Sequence, residues 1–123
     1  ISYKDWDGNY REKETEKTVF LYKLGEYMQS KRYTHLLMPS DQAVQNFHDN
    51  SIDFIFIDGD HSFERCYEDL NLWYDKVRSG GLFSGHDFSL PGVNKALLQF
   101  RTERNIKGFF KVIPNDVWYW VKD

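Results

Sequence analysis

The sequence has one cysteine, Cys66, and three prolines among 123 residues. A single thiol excludes an internal disulfide and suits a reducing compartment, so a cytoplasmic protein is expected. No apolar run approaches the roughly 18 residues that a membrane span needs, and no signal-peptide core opens the chain, so no membrane partner is expected. Neither sign of charge dominates: Lys and Arg number 16, Asp and Glu 19, for a net charge of −3. With both signs interspersed, no basic face is offered to nucleic acid. The eight glycines are scattered and form no G-x-G, and no repeat or low-complexity segment appears. What remains is a chain 41% hydrophobic and 18% aromatic, long enough for one compact domain and one core.

Residues 51–88 carry the strongest pattern. An apolar run, Ile52 to Ile57, stops at Asp58-Gly59-Asp60-His61, which predicts a buried parallel strand ending in a polar cluster. Ser62 then caps a helix with Phe63, Cys66, Tyr67, Leu70, Trp73, Tyr74 and Val77 on one stripe. Glu64, Arg65, Glu68, Asp69 and Lys76 are expected to face water. Gly80-Gly81 reads as the helix terminator, and Leu82-Phe83 as the start of a second strand that stops at His86-Asp87. Strand, helix, strand implies a parallel pair with a crossover. The carboxyl ends of such strands line a ligand crevice, so both polar clusters fall at one candidate site.

The flanks are read more briefly. Residues 1–6 suggest a strand, and Val19, Phe20, Leu24, Tyr27 and Met28 recur at helical spacing. Residues 35–38 suggest a short strand, followed by a brief helix with Ser40 as N-cap and Ala43, Val44 and Phe47 inward. Pro91-Gly92 reads as a turn before a helix over 93–104. Residues 109–113 and 117–121 read as an antiparallel hairpin, with Trp118 and Trp120 alternating with Tyr119. Asp116 reads as a turn residue, Asp60 as a possible cap for the Ser62 helix, and Cys66 as a small buried hydrophobe.

The run IDFIFIDGDHSFERCYEDLNLWYDKVRSGGLFSGHDF resembles the second half of a class I S-adenosylmethionine-dependent methyltransferase. It is most similar to the branch whose fourth strand ends in D-G-D-H-S-[YF]-E and whose fifth ends in G-H-D-[YF]. The resemblance implies an α/β, Rossmann-like sheet, mostly parallel with a C-terminal antiparallel hairpin, and a single domain over residues 1–123. A complete relative would supply a first strand and Gly-rich loop before this point, so an N-terminally truncated fold that binds the cofactor weakly is expected. Without that first strand, the edge of 52–57 would pair with residues 1–6, with 35–38, or with a second copy in a homo-oligomer.

The resemblance also implies roles. Asp5, or alternatively Asp7, would accept bonds from the ribose hydroxyls of S-adenosylmethionine. Ser40 and Asp41 would flank its adenine, and Asp58 and Asp60 would line the cofactor site. Metal-dependent relatives hold a divalent ion with residues that match Asp58, His86 and Asp87. His86 stands where oxygen ligands are usual, a change that favours manganese, iron or zinc over magnesium. A metal-free alternative makes His61 or His86 the general base, and a third leaves the carboxylates purely structural. The implied activity is O-methylation of a small-molecule acceptor such as a sugar or natural product. A non-catalytic binding or assembly domain, or a metallohydrolase, are the competing readings.

Overall fold

A computed structural model of the chain describes residues 2–4, 10–12, 34 and 36–123. Two compact units are present, Ile1–Leu37 and Met38–Asp123. In the first, β1 (Ser2–Lys4) and β2 (Tyr10–Glu12) pair antiparallel, Ser2 opposite Glu12. Too few residues separate them for a parallel crossover. Of the strand expected at 1–6, Ser2–Lys4 is described, and it pairs with β2. Asp5, Asp7, His35 and the helical pattern from Val19 to Met28 lie outside the described residues.

The strand expected at 35–38 is not seen: Leu36 and Leu37, which end the first unit, and Met38, which begins the second, form no strand. Short apolar stretches become strands only where a neighbour completes the hydrogen-bond ladder, and none does so among the described residues. The short helix α1 spans Ser40–Ala43 and passes into a 3-10 turn, Val44–Asn46. Its N-cap is Pro39, whose carbonyl accepts from the Gln42 and Ala43 amides at 3.0 and 2.9 Å. Ser40 is thus the first helical residue and not the cap. Ala43 and Val44 turn inward as expected, and Phe47 is half-buried.

Strand β3 (Ile52–Ile57) and β4 (Val77–Gly85) pair parallel, with helix α2 (Phe63–Trp73) crossing between them. The Ser62 side chain accepts the Arg65 amide and caps α2. The helix ends earlier than its apolar spacing suggested. A 3-10 turn over Tyr74–Lys76 follows, and Val77 already opposes Ile52 in the sheet. Gly80 and Gly81 consequently sit in a bulge of β4 rather than ending the helix, because Phe54 next pairs with Leu82. Gly80 takes φ +80°, and a Cβ on Gly81 would stand 2.7 Å from Val77 Cγ1 and 2.9 Å from the Asp53 carbonyl.

Helix α3 covers Pro91–Glu103, so Pro91-Gly92 forms its first turn and not a preceding loop. Proline suits that place, having no N–H to leave unpaired and a φ already near helical. A side chain on Gly92 would collide with the His61 carbonyl and with the Phe63 amide at 2.9 Å, so the start of α3 rests on the start of α2. The hairpin is made of β5 (Lys111–Ile113) and β6 (Val117–Val121). The four-stranded sheet runs β3-β4-β6-β5. Among the described residues it has a parallel β3–β4 pair, then antiparallel β4–β6 and β5–β6 pairs.

Helices α2 and α3 cover one face of this sheet. Phe83, Trp118 and Trp120 meet Leu70, Val93, Ala96, Leu97 and Phe100 in one buried cluster. Phe83 and Trp120 are cross-strand partners with ring centroids 5.1 Å apart, and Tyr74 meets Phe83 edge-on at 5.1 Å. Each such ring contributes about 1.5–3 kcal/mol by burial alone. The opposite face differs from the expected double-sided burial. Phe54 and Phe56 are 56% and 43% exposed, while Ile55 and Ile57 pack against the core. Strand β3 is the sheet's edge, with β4 as its one ladder partner among the described residues.

Candidate functional site

Parallel pairing brings both polar clusters to one rim. The ladder runs on past Ile57, whose carbonyl accepts the His86 amide at 3.0 Å. That bond sets Asp58 beside His86 and Asp87. One ligand atom from each of Asp58, His86 and Asp87 lies within 4.8 Å of the others. His86 Nδ1 stands 3.0 Å from Asp87 Oδ1 and 3.9 Å from Asp58 Oδ1. His61 joins from the other side, its Nε2 3.1 Å from Asp87 Oδ2. Asp87 thus bridges two imidazoles, and it holds a left-handed φ of +64° to do so.

The tautomer of His86 follows from its second partner. Its Nε2 lies 2.6 Å from the Asn115 carbonyl. A carbonyl can only accept, so Nε2 carries a proton and Nδ1 is the nitrogen turned to the oxygens of Asp58 and Asp87. At 3.0 Å from Asp87 Oδ1, Nδ1 either donates to that carboxylate or, without its proton, completes three acceptors that suit a shared cation. Imidazole donating its far N–H to a backbone carbonyl is also the usual way a ligating histidine is oriented. The donor set, one nitrogen and carboxylate oxygens, fits a divalent transition ion better than magnesium.

The remaining expected residues divide. Asp60 does not turn to this cluster; its Oδ1 accepts the Ser62 amide at 2.8 Å. That backbone bond holds its carboxyl below the usual range; the residue braces the turn before α2, and Ser62 is the cap. Ser40 and Asp58 share a cleft of about 500 Å³ along β3 with Phe47, Gly59, Asp69 and Trp73. Asp41 is not among that lining; it is exposed on α1. Asp5 lies outside the described residues. Cys66 is buried, and burial pushes its thiol up to about 11, leaving it inert near neutrality.

Asp69 corrects an expectation. Instead of facing water it is half-buried in the cleft, behind Gly59, where an added Cβ would sit 3.4 Å from its Oδ2. Burial raises its pKa, and a bond from the Ser40 hydroxyl pulls partly the other way. The signal was in the spacing: Cys66, Asp69 and Trp73 stand at i, i+3 and i+7, on the inward stripe. The Asn115 carbonyl had no such signal, because a backbone acceptor has no residue type to read.

Residues 5–88 match the family described as a methyltransferase domain, and the chain belongs to that family. The matched segment holds Asp58, His61, His86 and Asp87 and stops just before α3. The chain is 32% identical over 100 residues to the uncharacterized protein R132 of Acanthamoeba polyphaga mimivirus, covering 70% of this chain and 43% of that protein. It therefore spans less than half the length of that relative. A solved structure, the O-methyltransferase NovP, is 23% identical with a TM-score of 0.49, over 57% of this chain and 30% of that one. The family match contains the parallel β3–β4 pair and the helix α2 that crosses between them.

Proposed function

We propose that this protein transfers a methyl group from S-adenosylmethionine to a hydroxyl of a small molecule such as a sugar or natural product. The observation that carries the reading is the convergence of Asp58, His86 and Asp87 at the carboxyl ends of parallel β3 and β4. These three residues would hold a divalent ion, which supplies Lewis acidity that lowers the proton affinity of a nearby hydroxyl. S-adenosylmethionine supplies an electrophilic methyl on a sulfonium. The Ser40–Asp69 cleft, with Phe47, Phe54, Phe56 and Trp73 as its rings, suits the flat, donor-bearing end of such a nucleoside.

The two histidines divide the remaining work. His86 is committed at both nitrogens, to Asn115 and to the carboxylates. His61 donates Nε2–H to Asp87 and keeps Nδ1 free on a side chain that is 60% exposed. The carboxylate fixes the ring's tautomer and orientation, so His61 Nδ1 is the proton acceptor for the hydroxyl. Positioning of acceptor and methyl donor along one rim supplies the rest.

The hydrolase alternative is weakened because His48 is at the opposite end of β3. Calorimetry with manganese tests the reading: the chain is expected to bind it, and Asp58→Asn with His86→Ala to abolish binding. Equal binding by that double variant refutes the assignment. The 123 residues contain no G-x-G, so the chain by itself is expected to bind S-adenosylhomocysteine more weakly than micromolar, and low-micromolar affinity would refute that expectation.

A further inference from the structure

The loop that follows β4 is held from outside the matched family segment. Asn115 and Asp116, in the turn between β5 and β6, both take left-handed φ values, +69° and +64°. Few residues other than glycine adopt that conformation, and Asn and Asp are among those few. The turn grips the loop at successive positions. The Asn115 carbonyl takes His86 Nε2–H at 2.6 Å. The Asp116 carbonyl takes the Phe88 amide at 3.3 Å. The Asp116 carboxylate takes the Ser89 amide at 2.9 and 3.1 Å and the Ser89 hydroxyl at 2.7 Å. From the next strand, Trp118 Nε1 donates to the His86 carbonyl at 3.1 Å.

We propose that Asp116 is a positioning residue: by tying the β5–β6 turn to Ser89 it keeps the Asn115 carbonyl on His86 Nε2, and so aims Nδ1 at Asp58 and Asp87. The inference rests on the metal reading above but reaches a residue with no place in it. If the tie is released, the ring is free to turn or to exchange tautomers. An Nδ1–H tautomer would point a proton at the ion's place, and affinity falls. Supporting partners of a ligating histidine typically contribute 10–100-fold in metal affinity.

The test uses the whole chain with two readouts. Calorimetry measures manganese and zinc affinity, and 15N imidazole spectra report which nitrogen of His86 carries the proton. Asp116→Ala is expected to weaken both ions by about 10-fold or more and to replace the single Nε2–H signature with a mixture. Asp116→Asn, which keeps one acceptor for Ser89, is expected to recover most of both. If Asp116→Ala does not fold, Ser89→Ala cuts the same tie and is expected to show the same two losses. A folded Asp116→Ala, or Ser89→Ala in its place, with unchanged affinity and unchanged tautomer overturns the proposal. Wild-type protein that binds neither ion removes the metal reading; the imidazole spectra then still decide the positioning role, by scrambling in Asp116→Ala or not.

Discussion

Asp69 sits where helix α2 has an inward stripe, and its ionised form is disfavoured there. Burial raises its pKa above the ordinary carboxylate value, so folding is penalised as the group ionises. Below the unfolded value both states are protonated and no penalty exists; it grows as pH rises through the folded value. Asparagine keeps an oxygen for the Ser40 hydroxyl without the charge. Asp69→Asn is therefore expected to raise the melting temperature at pH 7, with the gain shrinking toward pH 3. The gain should stay under about 1 kcal/mol, since the side chain is only half-buried and water screens it. A gain that is equal at both pH values, or a loss at pH 7, would show that desolvation is not what acts on this residue. Retaining a destabilising carboxylate in a cleft is what a ligand-facing role produces.

At the scale of elements, β3 is the exposed part of the architecture. One side of its ladder is satisfied by β4, and Phe54 and Phe56 stand open on the face away from the helices. An apolar edge of this kind invites another strand. Within the second unit β3 has β4 as its one ladder partner among the described residues. We expect the chain to associate through β3 as its concentration rises, which sedimentation would show. Phe54→Lys with Phe56→Lys should shift the population toward monomer, since edge lysines resist strand addition. A wild-type chain that stays monomeric throughout would count against edge pairing. The same open strand explains why the apolar run was read as buried on both sides: β-branched and aromatic residues in sequence mark a strand, not its neighbours.

For the whole molecule, stability is concentrated in the layer between α2, α3 and the centre of the sheet. Trp120 has no exposed surface and touches Phe83, Phe100, Phe110 and Trp118. Trp120→Ala should cost about 3–5 kcal/mol in denaturant unfolding, and a loss below 1 kcal/mol would mean the layer can collapse around the gap. What the chain's own letters determined were the things that depend on local pattern. The DGDH and GHDF runs, the Ser62 cap, the α2 stripe and the Trp118/Trp120 alternation were all legible, because period and capping are properties of neighbours in sequence. Packing decided the rest. Whether Gly80-Gly81 ended a helix or bulged a strand depended on Ile52 and Asp53 lying alongside. Pro39 rather than Ser40 became the cap, its carbonyl taking the Gln42 and Ala43 amides once the turn had closed. The tautomer of His86, on which the chemistry of the rim turns, was set by a carbonyl 29 residues away in sequence, a contact that exists only once the hairpin has folded back.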